Sequence, residues 1–276
     1  MSECINDYYI YNGDIKESKN FDKEILRTGK VLYEVIRIID GKPLFFNKHM
    51  DRLRNSAKIT GVTIKFSNQD IKEMIEKLIN SNGIYSSNVK LIFNFDSISR
   101  KLNISAVYFV EHSYPSKENY EYGVNTIFYH GERETPNAKI LNINFRQLVN
   151  KEIRAKNAFE AILLDRNGDI TEGSKSNIFM IKEDNVITAP VQSVLPGTTR
   201  QTIIELCRKA NINVVEKKVN YTEIESMDAL FISGTSPKVL PIAKVEKSEF
   251  GSSKNRIVLQ IMKLYDKEVY NDLAKA

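Results

Sequence analysis

Along the first hundred residues the spacing of apolar side chains changes from that of strands to that of helices and back. Val31 to Ile39 reads as a strand, Asp40 and Gly41 as a hairpin turn, and Lys42 to Phe46 as the partner strand. In NKHMDRLRNSAKIT the apolar Met50, Leu53 and Ala57 fall at helical spacing, and Asn47 is the expected N-cap. A second amphipathic helix is predicted over Ser67 to Asn80, with Ile71, Met74, Ile75 and Leu78 on one face. Strands near Asn88 to Phe95 and Leu102 to Val110 complete a small α+β domain.

Between Glu111 and Gly123 the segment EHSYPSKENYEYG is polar, holds a proline and shows no clean period, which marks a connection. The expected organisation is an N-terminal domain over 1–115, a connection over 116–122 and a larger domain over 123–276. Beyond the connection come a strand at Val124 to Tyr129 and a helix from about Leu141 to Lys156. Short strands follow at Ala161 to Leu164, Ile178 to Ile181, Val186 to Thr188, Val214 to Lys217 and Ala229 to Ile232. A helix over Thr199 to Ala210 interrupts them, and an amphipathic helix using Ile257, Ile261, Leu264 and Val269 closes the chain. Asn167-Gly168 between apolar runs predicts a tight hairpin turn.

Composition narrows the class without choosing a function. With 276 residues, 42% of them hydrophobic and 27% charged, the chain has the make-up of an ordinary globular protein of one or two domains. The net charge of +5 comes from 40 basic and 35 acidic residues mixed along the chain, not from the clustered patch that nucleic acid requires. Cys4 and Cys207 lie far apart with no CxxC spacing, so neither a zinc site nor a disulfide framework is indicated, and a reducing, cytoplasmic setting is expected. No apolar segment has the length of a signal-peptide core or a membrane span. His49, His112 and His130 are too scattered to form a ligand pair, so no metal site is expected. No GxGxxG follows a strand, and neither a Walker lysine motif nor a GxSxG elbow occurs.

What remains is five short motifs: His49-Met50-Asp51-Arg52-Leu53, Pro136-Asn137-Ala138-Lys139, Thr171-Glu172-Gly173-Ser174 with Asn177, Leu195-Pro196-Gly197-Thr198-Thr199-Arg200, and Ser233-Gly234-Thr235-Ser236. Singly, each has an ordinary explanation: a solvated arginine, a surface lysine, a turn, a threonine helix cap, a strand end. Together and in this order they resemble the fold-type IV (class IV) family of pyridoxal-phosphate enzymes. That family includes branched-chain aminotransferases, D-amino acid aminotransferases and aminodeoxychorismate lyases, and the resemblance runs from about Gly29 to Val245.

The resemblance implies an α+β, two-domain fold, with a small N-terminal α/β domain and a larger C-terminal domain holding a pseudo-barrel of short strands. It implies pyridoxal 5'-phosphate as cofactor, an amino acid and a 2-oxo acid as substrates, and a homodimer. Lys139 corresponds to the Schiff-base lysine, which then moves a proton as general base and acid. Glu172 corresponds to the carboxylate facing the pyridine nitrogen, with Asn177 steadying its loop, and Leu195 to the apolar residue against the ring. Arg52, Thr198, Thr199 and Thr235 correspond to the phosphate anchors. Strand alternation puts Tyr33, Val35 and Arg37 on one face and Leu32, Glu34 and Ile36 on the other. In the family, the aromatic side of that strand faces substrate, which makes Tyr33 and Arg37 substrate candidates together with Ser236.

Two details bear on substrate. Lys139-Ile140-Leu141-Asn142 is closer to the Lys-X-X-Asn of D-amino acid aminotransferases and aminodeoxychorismate lyases than to the Gly-Asn-Tyr of branched-chain enzymes. The Arg-X-His carboxylate trap of D-amino acid aminotransferases is missing from the matching stretch KLIFNFDSISRKL. An aminotransferase is the leading expectation. The alternatives are an aminodeoxychorismate lyase forming 4-aminobenzoate and pyruvate, and a non-catalytic phosphate-ligand binder.

Overall fold

The computed structural model describes residues 3–275, and the chain divides into two compact units. The first takes the chain up to Ser113, then Ala138–Ile143, and the residues from Val269 onward. Its elements are β1 (Cys4–Tyr11), β2 (Asp14–Glu17), β3 (Lys30–Ile39), β4 (Lys42–Pro43), α1 (Phe46–Thr60), α2 (Asn68–Asn82), β5 (Ser87–Phe95) and β6 (Leu102–Val110). The strands form one antiparallel sheet in the order β2-β1-β6-β5-β3-β4.

Register decides which side chains share a face. Strands β3 and β5 pair without a break from Lys30↔Phe95 to Ile38↔Ser87. Leu32, Ile36 and Ile38 therefore stand on one face with Val89, Leu91 and Phe93, packed against Met50, Leu53, Ile71, Ile75 and Leu78 of the two helices. The other face carries Tyr33, Ile92 and Tyr108, packed with Phe21 and Tyr9. Each fully buried aliphatic or phenylalanine side chain contributes roughly 1.5–3 kcal/mol.

Two local expectations are corrected here. Strand β4 ends at Pro43 and not at Phe46, because Phe45 takes a left-handed backbone (φ 51) and α1 begins at Phe46. Asn47 consequently lies inside the helix and is not its cap; the Phe45 N–H donates instead to Asp272 Oδ2 at 2.6 Å. By contrast, α2 starts where the sequence places it, with a reciprocal capping box between Ser67 and Asp70.

The segment 138–143 adds to the edge of β3. Tyr33 N–H donates to the Lys139 carbonyl (3.1 Å), Leu141 N–H donates to the Val31 carbonyl (2.9 Å), and Leu32 and Ile140 form an antiparallel bridge. The helix expected from Leu141 starts only at Ile143, because this pairing takes the preceding residues.

The second unit comprises Tyr114–Asn137 and Asn144–Glu268. Its elements are α3 (Lys117–Tyr122), β7 (Val124–His130), α4 (Ile143–Ala155, its first residue in the other unit), β8 (Glu160–Leu164), β9 (Ile170–Gly173), β10 (Asn177–Lys182), β11 (Asn185–Thr188), α5 (Thr198–Lys209), β12 (Val214–Glu216), β13 (Ala229–Gly234), β14 (Lys238–Val245), β15 (Ser248–Glu249) and α6 (Arg256–Lys275, which continues into the other unit). The stretch read as a connection contains α3, opened by a capping box of Ser116 and Asn119. A nine-stranded mixed sheet runs β12-β11-β10-β13-β14-β7-β8-β9, with β15 on β14. Ile162, Leu164, Ile178, Met180, Leu230, Ile232 and Ile242 form its main core. Gly168 (φ 80) turns β8 into β9, with Asp165 accepting the N–H groups of Asn167 and Asp169. Among the described residues no helix is long and apolar enough to cross a membrane.

Candidate active site

In the first unit, α1 presents His49, Arg52 and Ser56 on one stripe, since residues three and four apart are helix neighbours. All three are buried. Arg52 is therefore not the solvated helix residue that exposure statistics favour. It clamps the fully buried Glu34 of β3 through two hydrogen bonds, Nε to Oε1 at 2.8 Å and Nη2 to Oε2 at 2.5 Å. His49 Nδ1 lies 2.8 Å from the same Oε2. Burial pushes the Glu34 carboxyl up, but the charge and hydrogen bonds of Arg52, with the bond from His49, outweigh it and hold the group at about 2. Burial holds His49 below the usual histidine range, and the nearby Arg52 and Lys139 cations act in the same direction, against Glu34. The ring is then neutral at pH 7, and a neutral ring facing a carboxylate carries its proton on Nδ1.

Lys139 is held by its backbone. Its N–H donates to Ser56 Oγ (3.1 Å) and its carbonyl accepts from Tyr33 N–H (3.1 Å). Its Nζ stands 4.7 Å from the centre of the Tyr33 ring. The two backbone bonds aim the amine without using it.

In the second unit, Glu172 sits at the end of β9, buried, with Arg133 Nε 3.0 Å from its Oε1 and the Leu195 N–H donating to its Oε2 at 3.2 Å. The Leu195 carbonyl accepts from Asn177 Nδ2 (2.9 Å), so Asn177 and Glu172 fix the loop before α5 from both sides of one residue. That loop places Thr198 and Thr199 in the first turn of α5, both buried; the N-cap is Gly197, and no side chain caps the helix. Across from Asn177, Ser233 of β13 is buried, and its hydroxyl has no hydrogen-bond partner among the described residues. Thr235 and Ser236 lie in the turn that follows, half-buried. Glu160 accepts the N–H of Lys175 (2.6 Å) and the hydroxyl of Ser174 (3.3 Å), which fastens the chain after Glu172; burial holds its carboxyl above the usual range.

Gly197 is required by space. A Cβ there would meet Asn177 Oδ1 at 2.1 Å, and Asn177 cannot withdraw without losing its bond to Leu195. Gly197→Ala is expected to cost about 1–3 kcal/mol in urea unfolding. In the Asn177→Ala background the same substitution should cost distinctly less, because the clashing atom is gone. Equal costs in both backgrounds would refute this account of the loop.

Arg52, Lys139 and Tyr33 thus come together in one unit, and Glu172, Asn177, Leu195, Thr198 and Thr199 in the other. Arg37 shares the Tyr33 face and pairs with Asn88. Sequence reasoning missed Glu34, His49, Ser56, Arg133 and Glu160 as supports. Glu34 had a readable signal: a carboxylate between Leu32 and Ile36 on an apolar face must be paired to be buried. Arg133 and Ser56 had none, since a lone arginine in a polar loop and a serine in a helix are ordinary.

The profile describing amino-transferase class IV matches residues 31–245. The chain belongs to the class IV aminotransferase family. It is 29% identical over 256 residues to a D-alanine aminotransferase of Bacillus licheniformis, covering 88% of this chain and 90% of that one. It is 28% identical over 271 residues to the branched-chain-amino-acid aminotransferase of Escherichia coli K12, covering 90% and 88%. The crystal structure of an E. coli branched-chain amino acid aminotransferase superposes with a TM-score of 0.82 at 26% identity, over 94% of this chain and 93% of that one. The crystal structure of a putative 4-amino-4-deoxychorismate lyase from Legionella pneumophila shares the fold at a TM-score of 0.75 and 22% identity, over 87% of this chain and 91% of that one. As a class IV aminotransferase, the chain has the expected fold-type IV architecture, and the family span contains all five motifs.

Proposed function

We propose that this class IV aminotransferase uses pyridoxal phosphate, anchored on Lys139, to move an amino group between an amino acid and a 2-oxo acid. The observation that carries this reading is the backbone lock on Lys139, which presents a half-buried amine over Tyr33 while both its peptide groups are engaged.

The residues present suit the cofactor's two ends. The uncapped, buried start of α5 offers free N–H groups and a positive dipole end to a phosphate. The orphaned Ser233 hydroxyl lies in the strand leading to Thr235, a further anchor in this reading. Arg52 holds Glu34 with Nε and Nη2, leaving Nη1 as the donor for a phosphate oxygen. Glu172 is a buried carboxylate suited to a protonated ring nitrogen, and Leu195 supplies apolar contact.

When bound, pyridoxal phosphate supplies an electron sink for the pair released as the substrate's α-proton leaves. Freed when the substrate's amine replaces it on the cofactor, Lys139 Nζ would take that proton and then give it up again, so one amine serves as base and then acid. Glu34 and His49 keep Arg52 oriented, and Asn177 keeps the α5 loop closed on Glu172. The relatives named for D-alanine and for branched-chain amino acids support an uncharged amino acid as one of the two that exchange the amino group. Assembly as a homodimer, checked by analytical ultracentrifugation, and a reducing, cytoplasmic setting, which suits the buried free thiols of Cys4 and Cys207, belong to the same reading.

The test is direct. Purified protein with pyridoxal phosphate should be yellow, and borohydride followed by peptide mapping should find the cofactor on Lys139. Glutamate with branched 2-oxo acids, or D-alanine with 2-oxoglutarate, should yield the transferred amine. Protein that stays colourless defeats the reading. Release of 4-aminobenzoate from aminodeoxychorismate without amine transfer replaces it by the lyase.

A further inference from the structure

Two segments of the second unit carry phosphate anchors in the reading above, the start of α5 with Thr199 and the turn between β13 and β14 with Thr235. One helix braces both. Thr199 Oγ1 lies 3.3 Å from the hydroxyl of Tyr265 in α6, and both residues are buried, Tyr265 to 1% exposure. The next residue, Asp266, accepts from Lys238 Nζ at 2.7 Å. Lys238 closes the β13–β14 turn with a left-handed backbone (φ 52), and the Tyr120 hydroxyl donates to the adjoining Pro237 carbonyl at 3.1 Å.

The Thr199 contact is unusual for a threonine in a helix. Such a hydroxyl ordinarily gives its proton to the carbonyl one turn back, as Thr202 does to Thr198 at 2.9 Å. For Thr199 that carbonyl belongs to Leu195, whose oxygen already accepts from the Gly197 N–H (2.7 Å) and from Asn177 Nδ2 (2.9 Å). Two acceptances fill its lone pairs, so the Thr199 hydroxyl meets Tyr265 instead. Of the two hydroxyls the phenol is the more acidic and the better donor. When Tyr265 donates, Thr199 accepts, and the one proton of Thr199 is left for a third group. A phosphate only accepts, and bonds running from phenol to threonine to anion polarise one another in the same sense. At 3.3 Å the Tyr265 bond is long for two hydroxyls, and a Thr199 that is giving its own proton away is the stronger acceptor for it.

Resting on the function proposed above, we propose that Tyr265 is a positioning residue for the cofactor's phosphate: it donates to Thr199 and so directs the Thr199 proton at the anion. Its action runs through Thr199. It lies in α6, outside the residues 31–245 that the family profile matches, so the family motifs do not include it.

The probes are pyridoxamine 5'-phosphate and pyridoxamine, which lacks the phosphate, titrated into the cofactor-free full chain with binding read by fluorescence. Neither forms a bond to Lys139, so the comparison isolates the phosphate. Tyr265→Phe keeps the ring and removes one hydroxyl. It should weaken pyridoxamine 5'-phosphate about three- to tenfold, the effect of one lost hydrogen bond, and pyridoxamine by less than about twofold. That sensitivity should vanish in a Thr199→Val background and return in Thr199→Ser, which keeps the hydroxyl. Equal weakening of the two ligands would make Tyr265 a packing residue and overturn the proposal. So would an unchanged affinity for pyridoxamine 5'-phosphate, or a loss that persists undiminished in Thr199→Val. Wild-type protein that binds the two ligands equally has no phosphate site, which defeats the functional reading and this one together; a wild-type preference for the phosphate that Tyr265→Phe leaves intact defeats this one alone.

Discussion

Lys139→Ala is expected to lower the rate of amino transfer by at least about a thousandfold while leaving the fold intact. The rate falls because one side chain holds both proposed chemical roles, covalent anchor and proton carrier, and a positioned general acid–base group alone contributes about 10²–10⁴-fold. The fold persists because the segment is held by its backbone: the Lys139 N–H to Ser56 and its carbonyl to Tyr33 survive in alanine. Single-turnover rates measured beside thermal melts separate the two effects. A variant that keeps more than a tenth of the wild-type rate would remove Lys139 from the chemistry. A variant that melts much earlier would mean that the amine itself holds the segment.

Glu34→Gln is expected to give the largest loss of stability, about 3–5 kcal/mol, because it leaves the buried Arg52 without its counter-ion. Gln preserves the shape, so packing loss is small and the charge term dominates. The pH dependence provides an independent check. Glu34 is held at about 2 in the fold, below its ordinary 4.5, so the unfolded chain binds its proton first as the solution is acidified. Its contribution is complete above about pH 4.5 and is lost as pH falls toward 2. His49, also held low in the fold, acts in the same sense at higher pH: its contribution is present above about 6.5 and is lost as pH falls. Glu160, held high by burial, acts in the opposite sense, its contribution present at low pH and lost as pH rises. Comparing wild type with Glu34→Gln cancels Glu160, and the gap between their urea unfolding free energies should shrink as pH drops from 5 to 3. A constant gap would contradict the ionised Glu34. On the proposed role of Arg52, saturating pyridoxal phosphate should narrow the gap at neutral pH, since the phosphate gives the guanidinium a second anion.

The local elements were legible because their causes are local. The repeat of Ile71, Met74, Ile75 and Leu78 with a serine in front gives α2 and its capping box, and the alternation along Val31 to Ile39 gives β3. Where the reading failed, a distant partner had intervened. Asn47 lost the cap position because Asp272 takes the Phe45 N–H. Leu141 lost its helix because Val31 takes its N–H. Strands β1, β2, β9, β14 and β15 were not anticipated: β2, β9 and β15 are short, and β1 and β14, though eight residues long, pair with a shift in register.

The same division applies to the site. By itself the sequence determined the residue types and their order: a lysine after a loop, a carboxylate at a strand end, a Gly-Thr-Thr helix start. These are chemistry-bearing side chains carried in contiguous motifs, and contiguity is what a sequence records. Only the tertiary structure decided how each is held. Ser56 receives the backbone of Lys139 across 83 positions, Leu195 donates to Glu172 across 23, and Tyr265 meets Thr199 across 66. Such pairings arise from sheet register and helix placement, which depend on which faces find apolar partners, and no single segment of the chain carries that information.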